Sequence, residues 1–424
     1  MFGSVTQELL TFTGMIACGS AHCAMTKITP GSTTIPIPGG WLVRTKLQRH
    51  AAARLLLRRF NRDTGDSCAL LMPTVTRAAF DVGSGRTKLL VADVDVVGGK
   101  LVKIHFGSEM PVVFKADVLA SGEKQELSAD IQEVGLQTLR EMTEKAATLG
   151  AAPPYAGVAT DVFRKARNGA SFLERVRQEV QLDLSLVSQD EEATLGLLTA
   201  VALCPAASEA ELLNVLAWDS GGGSFQVSNM APNATVPRSY GGQWGSSVAW
   251  SGMIELVRGQ TFAQQTTNPV SRVEADRLVA LIRDDIAKTP TEAWLSERST
   301  SGATVLIGIG GDTCIFRMVE QITGKSQQTL ADVRAAIDAL LNQTDAEVEA
   351  LGLEEEYEYA VPKLCLMVAV IEHLKLPALH YQPAVGNTAG LLVHDTVMGV
   401  RKYWPAPGMD GDAPAAKRAR VDDA

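Results

Sequence analysis

What the chain lacks excludes several kinds of site. Its six cysteines, Cys18, Cys23, Cys68, Cys204, Cys314 and Cys365, form no C-x-x-C pair, and no Cys/His grouping has the spacing of a zinc site. Cysteines used this way fit buried thiols in a reducing compartment, cytosolic or nuclear. No apolar run approaches the roughly 20 residues needed to span a bilayer. Positive charge is not in excess: 39 Lys and Arg stand against 48 Asp and Glu, a formal net charge of −9. That balance argues against general nucleic-acid binding, although an acidic protein can still hold phosphates through a local basic patch. Acidic residues are themselves missing from one end, where Glu8 is the sole one through Arg62.

What is present is a globular composition, 46% apolar and 21% charged, enough for two packed cores. A chain of 424 residues is too long for one ordinary domain. Residues 1–76 read as an N-terminal extension. Its segment Trp41 to Phe60 would form a basic amphipathic helix, which resembles an organelle transit peptide. An over-extended start, with Met72 as the true first residue, explains it equally well. Residues 77–212 read as a first α/β domain and 213–402 as a second. Strands are expected at 78–82, 87–95, 155–160, 182–187 and 304–311. Helices are expected at 131–149, 171–181, 188–203, 271–288, 330–341 and 363–374. Residues 403–424 read as a disordered tail. Its cluster Lys417-Arg418-Ala419-Arg420 is either a short nuclear import signal or a solvated end.

One motif occurs twice. Ala78 to Asp93 reads AAFDVGSGRTKLLVAD, and Val215 to Ser228 reads VLAWDSGGGSFQVS. Each is an apolar strand, then Asp-x-Gly-(Ser/Gly)-Gly, then a second strand. Glycine turns let backbone N–H groups approach an anion because no side chain intervenes. Two such loops facing each other would clamp phosphates, and the leading carboxylates, Asp81 and Asp219, would hold a metal ion or a water. One such turn is a weak signal; two, each closing a strand pair in its own α/β half, resemble the ribonuclease H-like fold of actin, sugar kinases and heat-shock ATPases.

Further segments narrow the resemblance: TDVFRKARNGASFL from Thr160, SQDEEATLG from Ser188, WDSGGGSF from Trp218 and IGIGGDT from Ile307. In this order they resemble the Ppx/GppA family of exopolyphosphatases and guanosine pentaphosphate phosphohydrolases, over roughly 77–395 and without the helical extension of longer members. The resemblance implies two α/β domains with mixed sheets around a phosphate cleft. It also implies magnesium as cofactor, water as nucleophile, and polyphosphate or a nucleotide such as pppGpp as substrate.

Carried onto this sequence, the resemblance implies phosphate contacts from Gly83, Ser84, Gly85 and Arg86 on one wall and from Gly221, Gly222, Gly223 and Ser224 on the other. Lys88 would add charge beside the first loop. Arg164 matches the phosphate-gripping arginine of the family. Asp219, with Asp81 in parallel, would act on magnesium directly or through water. Glu191, first of the Glu-Glu-Ala triplet, matches the proposed general base. Its spacing to Ser188 also makes it a capping-box residue, folded back on its own helix. Asp190 and Glu192 read as helix-start acids. Gly310, Gly311 and Thr313 would form a third turn, facing phosphate or serving as a hinge.

The chain departs from the family at four places. Gln226 stands where the second loop usually has Glu, Gly85 and Arg86 where the first usually has Asn-Ser, and Asn387-Thr388-Ala389-Gly390 where an Arg-Glu-Gly element is usual. Asp312 is off pattern. The leading reading is a phosphoanhydride hydrolase. One alternative is a nucleotide- or polyphosphate-binding regulator without turnover; a second is a small-molecule kinase of the same fold. Neither nucleic acid nor membrane is an expected partner, and a homodimer is left open. The expected compartment is the cytoplasm, with nuclear or organelle routing left to the two ends of the chain.

Overall fold

The computed structural model describes residues 74–204, 212–232, 234, 236–262, 265–353, 357–400 and 402–404. The basic segment Trp41 to Phe60 and residues 405–424, with the Lys417–Arg420 cluster, lie outside the described residues, whereas Tyr403 and Trp404, expected in a disordered tail, are buried.

The first sheet contains β1 (Thr74–Val82), β2 (Arg86–Asp95), β3 (Lys100–Pro111), β4 (Ala156–Ala159) and β5 (Ser185–Leu186). The second contains β6 (Val215–Ser220), β7 (Phe225–Asn229), β8 (Arg238–Gly242), β9 (Val305–Gly310), β10 (Gln327–Gln328) and β11 (Leu379–Pro383). Their orders are β3-β2-β1-β4-β5 and β10-β11-β9-β6-β7-β8. Both sheets repeat one plan. A three-stranded antiparallel meander (β1 to β3, β6 to β8) comes first. The meander's first strand is then joined on its other side by parallel strands (β4 and β5; β9 and β11). These are two ribonuclease H-like α/β halves.

The chemistry of the strands explains their places. The last five residues of β1, Ala78 to Val82, and the first four of β6, Val215 to Trp218, are buried throughout. Such continuous apolar runs suit a strand covered on both faces. The parallel strands are linked through helices, including Gly169–Val180 in the first half and Ile315–Thr323 in the second. Behind the second sheet, the helix Ala360–Leu374 is buried along nearly its whole length, as a helix apolar all round must be.

Two helices lie between the sheets. Gln189–Leu203 packs on β6, β7 and β9, while Thr388–Met398 returns late in the chain to pack on β1, β2 and β3. Arg77 on β1 grips both carboxylate oxygens of Asp395, at 2.8 and 3.0 Å, and lies over the Trp404 ring. The two helices also pack on each other. They touch at Gly390, whose N–H donates to Thr199 Oγ1 (2.9 Å) and where a Cβ would collide with the Leu195 carbonyl. Among the described residues no helix is long and apolar enough to cross a membrane.

Candidate active site

The β1–β2 and β6–β7 turns open onto one cavity of about 330 Å³. Gly83, Ser84, Gly85 and Arg86 line it from the first half, and Gly221 and Gly222 from the second. Gly223 and Ser224 are not among its lining residues. The Gly83 N–H closes its own turn onto Arg86 O (2.9 Å), and the Gly221 N–H closes its turn onto Ser224 O (3.0 Å). Those two N–H groups are therefore engaged, contrary to the expectation that every loop glycine offers one to a phosphate.

The remaining peptides are aimed by their carbonyls. Ser84 O accepts from Lys115 N (2.8 Å) and Gly85 O from Val112 N (3.0 Å). In the second loop, Gly221 O accepts from Ser246 N (3.0 Å) and Gly222 O from Ser247 N (2.9 Å). In a planar trans peptide the next N–H points opposite to the carbonyl. The Gly85 and Gly222 N–H groups thus point away from the donors that hold the Ser84 and Gly221 carbonyls. Gly245 permits the second tie: a Cβ there would lie 2.5 Å from Gly221 O.

The leading aspartates both line the cavity but differ in setting. Asp81 is buried, accepts from Asn387 N (2.9 Å), and has Lys88 Nζ at 4.0 Å. Lys88 lies directly opposite it on β2. Burial alone would lower the Lys88 pKa, but Asp81, Glu109 and Asp219 together raise it above the ordinary lysine value. Asp219 is raised above the usual carboxylate range, first by burial and then by Asp81, while Lys88 pulls it down. Its opposite on β7 is Gln226, on the same face and within a short Cβ separation.

The two glutamates have different partners. Glu191 completes a capping box: its Oε2 accepts from Ser188 N (2.6 Å), and Ser188 Oγ accepts from Glu191 N (3.3 Å). Lys402 pairs with its other oxygen. Neither Glu191 nor Glu192 lines the cavity. Glu192, one residue and about 100° further round the helix, turns elsewhere. Its Oε1 accepts from Arg164 Nη1 (2.8 Å). Burial raises its pKa first; Arg164 lowers it, and the charges of Asp81 and Asp219 raise it again. Glu192 sits in the first turn of its helix with Asp190 and Glu191, as its reading as a helix-start acid expects. Arg164 itself donates to Glu192 and to the Val187 carbonyl and is not a lining residue.

The third turn does reach the site: Gly310, Gly311, Thr313 and Cys314 line it. Glu109, from β3 of the first half, approaches closely enough that a Cβ on Gly311 would meet its Oε1 at 3.0 Å. Ser246, Ser247, Tyr359, Gly386 and Asn387 also line the cavity. Gly386, at φ +54°, sits so close that a Cβ would strike Asp81 Oδ2. Apart from Asn387, which opens the element standing in place of the usual Arg-Glu-Gly, no local motif marks these residues.

Among the described residues no group of three His, Cys, Asp or Glu side chains forms a metal cage by itself. Asp81 and Asp219 are nonetheless hard oxygen donors of the kind magnesium takes when waters and substrate phosphates complete its shell. The donor set fits that ion.

The model of the Ppx/GppA phosphatase family matches residues 116–396. Among solved structures, a Ppx/GppA family member from Aquifex aeolicus is 20% identical with TM-score 0.59, covering 78% of this chain and 100% of its own. An exopolyphosphatase from Cytophaga hutchinsonii is 18% identical with TM-score 0.54, covering 78% of this chain and 100% of its own. At these identities the likeness carries the fold. No curated protein matches the chain. With the family model spanning well over half its length, and the paired glycine turns meeting in one cleft, the chain belongs to the Ppx/GppA phosphatase family.

Proposed function

We propose that the protein hydrolyses the terminal phosphoanhydride of polyphosphate or of a nucleotide such as pppGpp, with magnesium as cofactor and Glu192 as the general base. The observation that carries this reading is the convergence of both glycine loops, Asp81 and Asp219 on one cavity.

Phosphoryl transfer is catalysed mainly by positioning and charge stabilisation. The N–H groups of Gly85 and Gly222, with Lys88 and Arg86, hold the terminal phosphate oxygens. Glu192, kept above the ordinary carboxylate range by burial, takes a proton from the attacking water. The water oxygen bonds to the terminal phosphorus as the bridging P–O bond breaks, releasing orthophosphate and the shortened chain. Asp219 and Asp81 would hold magnesium, which when bound neutralises charge on the phosphate oxygens.

Phosphate release from polyphosphate, pppGpp and ATP with magnesium tests the reading. Glu192→Gln is expected to cost about 10²- to 10⁴-fold in rate. Glu191→Gln is expected to cost only helix-cap stability, about 1 kcal/mol. Release from none of the three substrates, or equal loss in both variants, would sink it. A second reading, binding without turnover, is favoured by Gln226, because an amide is a poorer magnesium ligand than the usual Glu. Tight binding without release, restored to release by Gln226→Glu, would select it.

A further inference from the structure

We propose that Lys363 is a positioning residue for the reaction: its buried ammonium fixes the third glycine turn and the Tyr359 ring, two pieces of the cleft wall, from behind. The inference rests on the hydrolase reading and concerns a residue outside the cavity, since Lys363 is not among its lining residues.

Lys363 occupies the first turn of the helix Ala360–Leu374 and is fully buried. Both facts cost stability. A cation in a first turn faces the positive end of the helix dipole. A buried ammonium gives up its hydration. Its helix neighbours Val361, Leu364, Leu366 and Met367 are apolar and buried, so a Leu or Met here would suit the packing without either cost. The ammonium instead donates to Thr313 O at 2.8 Å and lies 4.8 Å from the centroid of the Tyr359 ring. Thr313 and Tyr359 both line the cavity.

The turn shows what that bond holds. Gly311 O accepts from Cys314 N (3.1 Å), closing a four-residue turn with Asp312 and Thr313 at its corners. The peptide joining Thr313 to Cys314 is thus held at both ends, its N–H by Gly311 O and its carbonyl by Lys363. A planar peptide bonded on both sides swivels only by breaking one of the two bonds. The entrance to the turn is tied separately, by Ala384 N to Gly310 O (3.0 Å). Lys363 is therefore the tie at the exit, where Cys314 leads into the helix Ile315–Thr323. The same ammonium meets the Tyr359 ring one helical turn back, and that ring is stacked on Trp250 at 4.4 Å and 6°. One buried charge so couples two wall segments far apart in sequence. Gly311, inside the turn, is also where Glu109 of the first half comes close. Releasing the exit would shift Gly311 and Thr313 against the opposite wall. A misplacement of about 1 Å at a reacting centre can cost about 10²-fold in rate.

Steady-state phosphate release and amide hydrogen exchange at Cys314 in the full chain test this. Lys363→Met keeps the stem and removes the donor; Lys363→Gln keeps an N–H donor without the charge. Lys363→Met is expected to lower kcat about tenfold or more, the loss of a hydrogen bond from a charged donor, with KM changed less than about twofold. Exchange at the Cys314 N–H is expected to speed about tenfold. Lys363→Gln, whose shorter amide reaches the carbonyl less well, is expected to fall between, at about threefold in both. It carries the test alone if Lys363→Met does not fold, and no change in either readout then overturns the proposal. A filler role predicts that Lys363→Met keeps kcat and slow exchange, because an apolar side chain suits the core. That result overturns the proposal, as does a fall in kcat with unchanged exchange. If the wild type releases no phosphate, the hydrolase reading falls and exchange decides alone: faster exchange in Lys363→Met supports the tie, and unchanged exchange overturns it.

Discussion

The β1–β2 and β6–β7 hairpins share a backbone and differ in charge. In each, an apolar strand ends in Asp, glycines turn the chain, and loop carbonyls are tied to the segment that follows the meander. Opposite Asp81 stands Lys88; opposite Asp219 stands Gln226. The first hairpin thus carries its own cation and spends its aspartate partly on Lys88 and the Asn387 N–H. The second carries a neutral amide, and burial leaves its aspartate strained towards the protonated form. A common frame has been divided into an anion cradle and a wall that seeks outside positive charge. A single-sign pair of hairpins would repel either the phosphate or the cation.

The sharpest way to break this comparison is to neutralise each aspartate. Asp219→Asn is expected to lower phosphate release by about 100-fold or more, as loss of a key electrostatic group does. It should not lower the melting temperature, because it relieves a costly buried charge. Asp81→Asn should instead destabilise the fold by about 3 kcal/mol, leaving Lys88 without its buried partner. Phosphate assays and thermal melts on both variants check the division; similar behaviour in both would erase it.

The glycines differ in the same spirit. A Cβ on Gly245 would press on the carbonyl of the second loop, whereas nothing lies within 4 Å of a Cβ on Gly85. Gly245→Ala is expected to cost about 1–3 kcal/mol by denaturant unfolding, and Gly85→Ala close to nothing. Gln226→Glu should tighten magnesium binding several-fold, read by the metal concentration for half-maximal rate, by adding the missing carboxylate beside Asp219.

The smallest expected effect is on pH dependence. Glu192 and Asp219 both have folded pKa values raised above their unfolded ones. Their contribution to stability is fully present below the ordinary carboxylate pKa and lost as pH rises through the raised values. Activity runs the other way, rising as Glu192 deprotonates. An acid limb centred above the usual carboxylate range, and a flatter stability profile in Asp219→Asn, are the expected results.

The paired hairpins, the alternation of strands and helices, and most helix spans were legible because each rests on local periodicity. The helix cap at Glu191 was legible, because Ser188-x-x-Glu191 has the spacing of a capping box and the structure forms it. Arg164 matched a motif, but a motif does not tell which oxygen a guanidinium will meet. Glu109, Tyr359 and Gly386 gave no signal, since their presence at the cleft depends on strand register and on segments that return from far along the chain.

The contact at Gly390 carries a mechanical consequence. Where one helix backbone rests against another with only the Thr199 hydroxyl at the contact, there is little to slide on. Any rotation of the halves that preserves this contact must turn about it, as a door turns at its pin. A bulkier residue there would wedge the door, changing how far the glycine walls can approach each other without altering a single group that touches phosphate.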